Sequence, residues 1–249
     1  MVDTVSGNMS TTPTSVDFSA SKMTQYRRMV IFAWLASFVV IGLGVARELF
    51  VGQFGIDTPL QDLRHFSLDS ENSLPVWYSS TLMTISAFLL WIISDHEKIT
   101  FRRRFSLWQI LAVVFLAMSI DETSSFHEVL ITPLQNYFGA TGIFHFSWVI
   151  VAIPALAVFA IYILPDLFRL PHVWLAKFVA SGVVYVTGAL GMELVGGYFA
   201  SSIGFESTSY IVTATIEESL EIIGLTMFAC FLGGYLKQLV PGFTLKFSD

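Results

Sequence analysis

Residues 106–128 read SLWQILAVVFLAMSIDETSSFHE, an unbroken apolar run that closes on Asp121, Glu122, His127 and Glu128. As a helix the run crosses a bilayer, because about 20 residues rising about 1.5 Å each match the ~30 Å hydrocarbon layer. Charged side chains cost about 2.5 to 3.5 kcal/mol each at the centre of such a span. A membrane protein that keeps four ionisable groups at one end of a span is expected to use them.

Five further segments have the same character, giving six spans at roughly 29–49, 76–94, 106–128, 145–165, 176–200 and 209–236. The 249 residues are 54% hydrophobic and 13% charged. With a mean hydropathy of +0.68, this composition excludes an ordinary soluble domain. The expected fold is all-α, a polytopic membrane helix bundle with a transmembrane domain over residues 29–237. Polar residues 1–28 are expected to form a disordered cytoplasmic tail, and 238–249 a short cytoplasmic C-terminal one. The lone Cys230 excludes a disulfide framework and a thiolate metal cluster. A net charge of −6 says little about partners, since about half of the acids lie in or beside the spans.

Basic residues set the orientation. Lys22, Arg27, Arg28, Lys98, Arg102, Arg103, Arg104, Arg169, Lys177, Lys237 and Lys246 fall on one side of a six-span arrangement, and only Arg47 and Arg64 on the other. The positive-inside rule then predicts cytoplasmic termini in a cell membrane, with a bacterial inner membrane expected. Membrane lipids and a lipid-soluble substrate are the expected partners, and no nucleic acid.

The acids of the other spans converge on the same level. Glu193 lies near the outer end of the fifth span, and Glu217, Glu218 and Glu221 lie roughly 12 to 18 Å into the sixth at ~1.5 Å per residue. Spacings of three and four residues put these last three on about one third of a helix circumference. In the third span Asp121, Ser124, Ser125 and Glu128 form an i, i+3, i+4, i+7 stripe. His145 opens the fourth span on the same side. No Lys or Arg lies in the outer halves of the third, fifth or sixth spans, and Arg47 alone is near. Close carboxylates in a low dielectric need protons or bound cations to balance them. Oxygen donors joined by imidazole suit a divalent Fe, Mn or Zn ion. The expected metal ligands are Asp121, Glu122, His127, Glu128, His145, Glu217, Glu218 and Glu221, with Glu193 a catalytic base or a further ligand. The two Glu-x-x-His motifs of soluble di-iron bundles are missing. Outer loop 133–144, with Pro133, Gly139 and Gly142, is placed to fold over the site as a lid.

At 117–128 (AMSIDETSSFHE), 74–80 (LPVWYSS) and 216–224 (IEESLEIIG), the chain resembles a group of largely uncharacterised bacterial multi-pass membrane proteins. These carry a similar D-E-x-x-x-x-H-E helix and a late E-E-x-x-E helix. The resemblance implies no activity; it implies that Asp121, Glu122, His127, Glu128, Glu217, Glu218 and Glu221 act as one unit.

Three functions fit these residues: a metal-dependent membrane enzyme acting on a lipid-soluble substrate, a proton- or cation-coupled transporter, and a non-catalytic subunit of a membrane assembly. Against transport, the inner halves of the third and sixth spans carry no acidic relay.

Overall fold

The computed structural model describes residues 15–55, 61–96 and 106–240. Helices α1 (Ser15–Phe54), α2 (Leu74–His96), α3 (Leu107–Ser124), α4 (Ile131–Phe138), α5 (Val149–Leu167), α6 (His172–Val186), α7 (Glu193–Ile203) and α8 (Thr208–Leu239) follow in order. A π turn, Thr187–Met192, joins α6 to α7 into one span. Six helical segments are long and apolar enough to cross a membrane. The protein is an all-α multi-pass membrane protein, as its hydropathy demands. No strand occurs among the described residues.

Helix α1 begins at Ser15, so the segment read as a tail is helical in its second half, and residues 1–14 lie outside the described ones. The basic loop 97–105 and residues 241–249 also lie outside them.

Helix ends are chosen by side chains that satisfy free backbone groups. Ser106 caps α3 in a reciprocal box: its Oγ accepts from the Gln109 N–H at 3.2 Å, while Gln109 Oε1 accepts from the Ser106 N–H at 3.1 Å. Ser207 caps α8 by accepting from the Tyr210 N–H at 3.3 Å.

Helix α8 is the hub, with α1, α2, α6 and α7 packed on it; α3 packs on α2. Buried hydroxyls tie these helices across lipid-like surroundings, where a polar bond has no water to compete with. Ser37 of α1 meets Thr226 of α8 at 2.6 Å and Tyr78 of α2 at 2.9 Å. Ser119 of α3 meets Ser80 and Thr84 of α2 at 2.8 Å each.

The bundle divides along its length. At the end where α2 stops and α3 starts an aromatic core surrounds Trp108, whose ring lies 5.3 Å from Tyr235 and 5.9 Å from Phe178, with Phe115 stacked on Phe228 at 4.7 Å. Phe159, Ile163 and Leu167 seat the second half of α5 on this core. At the distal end, where α1 stops and α2 starts, apolar packing gives way to a cavity.

Small residues permit the close approaches that shape this cavity. A Cβ on Gly188, in the π turn, would lie 2.8 Å from the Glu217 carbonyl oxygen and 3.0 Å from Glu221 Cγ. A Cβ on Gly224 would lie 2.7 Å from the Tyr185 nitrogen. Glycine at these two positions lets α6 and the π turn press against the acidic stretch of α8.

Candidate functional site

The distal cavity has a volume of about 340 Å³. Its walls come from five pieces of chain, and each carries acid or aromatic groups for a local reason. On α8, Tyr210, Ala214, Glu217 and Glu221 repeat at helical spacing and Glu218 flanks them, so one face of the helix forms the acidic wall. On α3, Met118, Asp121 and Glu122 face the same space. The span containing α6 and α7 adds Tyr185, Val186, Ala189, Leu190 and Glu193. Trp148, Ala152 and Leu156, at and beyond the start of α5, form an apolar stripe opposite. The connection ahead of α2 contributes Asp69 and Glu71.

Helix α3 stops earlier than its hydropathy suggests. Ser125 takes a left-handed conformation, φ 48°, and its N–H bonds back to the Asp121 carbonyl. The stripe expected to run from Asp121 to Glu128 is therefore broken at Ser125. The break has a chemical consequence: Asp121 Oδ1 accepts from the His127 backbone N–H at 3.0 Å, and its Oδ2 meets His127 Nδ1 at 2.8 Å. His127 is thereby held against Asp121 at the cavity wall.

Nine carboxylates line the cavity: Asp69, Glu71, Asp121, Glu122, Glu128, Glu193, Glu217, Glu218 and Glu221. Among the described residues one imidazole, that of His127, joins them, and no Lys or Arg does. Arg47, the nearest expected counter-charge, is turned to its neighbour Glu48 at 2.8 Å and lines a second cavity of about 400 Å³. Asp69 borders both cavities.

Partners inside the site are mostly neutral or acidic. Trp148 Nε1 donates to Glu193 Oε1 at 2.7 Å, and the Tyr210 hydroxyl donates to Asp69 Oδ1 at 3.2 Å.

Outside the spans, Asp69 is pushed up to about 6, first by burial against the cavity walls and then by Glu48, Glu193 and Glu128; the bond from Tyr210 acts in the opposite sense. Glu128 is also raised, by burial first and by Glu71 next, with His127 opposing.

Four buried side-chain atoms among the described residues have no hydrogen-bond partner: Ser79 Oγ, Ser86 Oγ, Trp108 Nε1 and Glu218 Oε2. Of these residues only Glu218 lines the cavity. A buried carboxylate oxygen without a donor is costly, so it marks where the wall lacks positive charge.

The expected ligand set is only partly brought together. Asp121, Glu122, His127, Glu128, Glu193, Glu217, Glu218 and Glu221 share the cavity, whereas His145 is not among its lining residues. The His145 ring packs edge-on against Phe146 and Phe205, at 5.2 and 5.6 Å. Among the described residues, no three His, Cys, Asp or Glu side chains are grouped so as to hold a metal ion. The acids border a space wider than one ion rather than closing on a point.

Loop 133–144 is more ordered than a free lid. Much of it is α4, and it is pinned by Gln135 Nε2 donating to the His145 carbonyl at 2.6 Å and by the Gly142 N–H donating to Ser201 Oγ at 3.1 Å. Sequence reasoning left Asp69, Glu71, Tyr185, Tyr210 and Trp148 out of the site. One signal for the first two was an acidic pair two residues apart just before the Ser73 helix start.

The fold and the cavity define a multi-pass membrane protein with a carboxylate-lined chamber at the bundle end where α2 starts and α3 ends. The chain belongs to the family described as a domain of unknown function (DUF8692), which matches residues 24–233. Neither the curated proteins nor the solved structures yield a match to this chain.

Proposed function

We propose that the cavity is a cation-binding site in the outer half of a cell membrane, where a bound cation takes the place of protons shared between carboxyl groups. The supporting observation is the lining: nine carboxylates, one imidazole and no Lys or Arg. In a medium of low dielectric such a set stays folded with protons on some members or with a cation among them. A cation entering among these carboxylates makes protons held there dispensable. The excess of Lys and Arg on one side of the six-span sequence supports cytoplasmic termini and a cavity toward the opposite face under the positive-inside rule.

Proton exchange of this kind serves a cation-coupled transporter directly. The test is equilibrium binding of Mn²⁺ and of tetramethylammonium to the purified full-length protein in nanodiscs, between pH 5.5 and 8. Affinity for at least one ion is expected to rise tenfold or more with pH and to fall in Glu218→Gln. Binding of neither ion at any pH refutes the reading.

A second reading, favoured by the orphaned Glu218 Oε2, is a divalent Fe, Mn or Zn ion serving an enzyme with a lipid-soluble substrate. Asp121 engages His127 Nδ1, which leaves Nε2 as the ring's other donor atom. The side chains do not fit a metal as they stand, so this reading requires them to draw together on binding. Stoichiometric metal in the purified protein, lost in Glu218→Ala, supports it; metal-free protein with pH-dependent ammonium binding contradicts it.

A further inference from the structure

Resting on the cation-site reading, we infer that the ligand is an amphipathic organic cation, an ammonium head with a short hydrocarbon tail. The size of the cavity argues first. At about 340 Å³ it falls in the range of small-molecule sites, roughly 300–1,000 Å³. A metal ion with oxygen ligands at about 2.0–2.6 Å leaves most of that space unfilled.

The walls argue next, because their chemistry is divided. The acidic wall of α8 carries the buried, unpartnered Glu218 Oε2, the place where a positive head gains most. The same cavity is also lined by the apolar side chains of Ala152 and Leu156 of α5 and of Val186, Ala189 and Leu190 of the α6–π segment, the latter between Tyr185 and Glu193. A bare inorganic cation makes no use of these apolar side chains. A hydrocarbon tail does, and each buried methylene contributes about fourfold in affinity. Trp148 also lines the cavity, and an aromatic face attracts an ammonium group.

The experiment is scintillation-proximity binding of tritiated hexyltrimethylammonium to the full-length protein in zwitterionic nanodiscs, with protein-free discs subtracted. Competitors are tetramethylammonium, hexyl sulfate and Mn²⁺. Hexyltrimethylammonium is expected to bind saturably and at least tenfold more tightly than tetramethylammonium, with hexyl sulfate failing to compete. Ala152→Phe, which fills the tail path, is expected to bring the affinity for hexyltrimethylammonium down toward that for tetramethylammonium. Equal affinity for the two ammonium ions overturns the amphipathic ligand but leaves the cation site standing. Binding of Mn²⁺ with no response to either ammonium ion does the same. Binding of no cation at all overturns the cation site as well.

Discussion

Asp121 grips His127 twice, through the backbone N–H at 3.0 Å and through Nδ1 at 2.8 Å. This bracket holds the chain where α3 ends, and it fixes the one imidazole that lines the cavity among the described residues. Asp121→Ala removes both bonds, so a loss of roughly 1–3 kcal/mol is expected. Asp121→Asn keeps one acceptor and is expected to cost less. Unfolding by denaturant in mixed micelles measures both, and an Asp121→Ala protein as stable as the parent contradicts the bracket.

Gly188 and Gly182 make a paired test of helix approach. A methyl group at 188 meets the Glu217 carbonyl oxygen at 2.8 Å, while one at 182 meets nothing within 4 Å. Overpacking of this kind costs about 1–3 kcal/mol, so Gly188→Ala is expected to be destabilised by that order. Gly182→Ala is expected to be neutral, or more stable by up to about 1 kcal/mol, because alanine favours helix. Equal melting temperatures for the two variants rule out tight packing at the π turn.

Asp69 predicts a pH dependence with a defined sign. Its carboxyl is raised from 3.8 to about 6, so the folded state binds the proton more tightly than the unfolded state. The stabilisation is complete below about pH 4 and is lost as pH rises through about 6. Asp69→Asn is expected to flatten the stability profile in that window, measured as melting temperature against pH without added cation. Tyr210→Phe removes the bond that favours the charged form, and is expected to move the loss to higher pH. A profile unchanged by both substitutions contradicts this account of Asp69.

Trp148 offers a local reporter, since its indole donates to Glu193 at 2.7 Å and its ring lies 4.7 Å from His127. Cation binding at the acidic wall is expected to change the emission of the parent protein but not of Trp148→Phe. An undiminished change in the variant places the bound ion elsewhere.

Much of this architecture can be read without coordinates because hydrocarbon imposes a simple rule. Spans must be long and apolar, so Glu193, Glu217, Glu218 and Glu221 stand out against their neighbours, and all four line the cavity. What escaped the reading depended on backbone or tertiary detail. Ser125 adopts a positive φ that few non-glycine residues take, and nothing in TSSF announces that α3 stops there. His145 has the depth expected of a ligand, but aromatic neighbours occupy its ring. Asp69 and Glu71 lie in a connection where acids are ordinary, and only the folding of that segment across the cavity gives them a role.

The most direct measurement is proton release on cation binding, followed with a pH-sensitive dye in weakly buffered nanodiscs at pH 7. Mn²⁺ and hexyltrimethylammonium are added in turn. The account predicts that the cation that binds releases at least one proton per protein, and that Glu218→Gln releases fewer. Saturable binding with no proton released contradicts it.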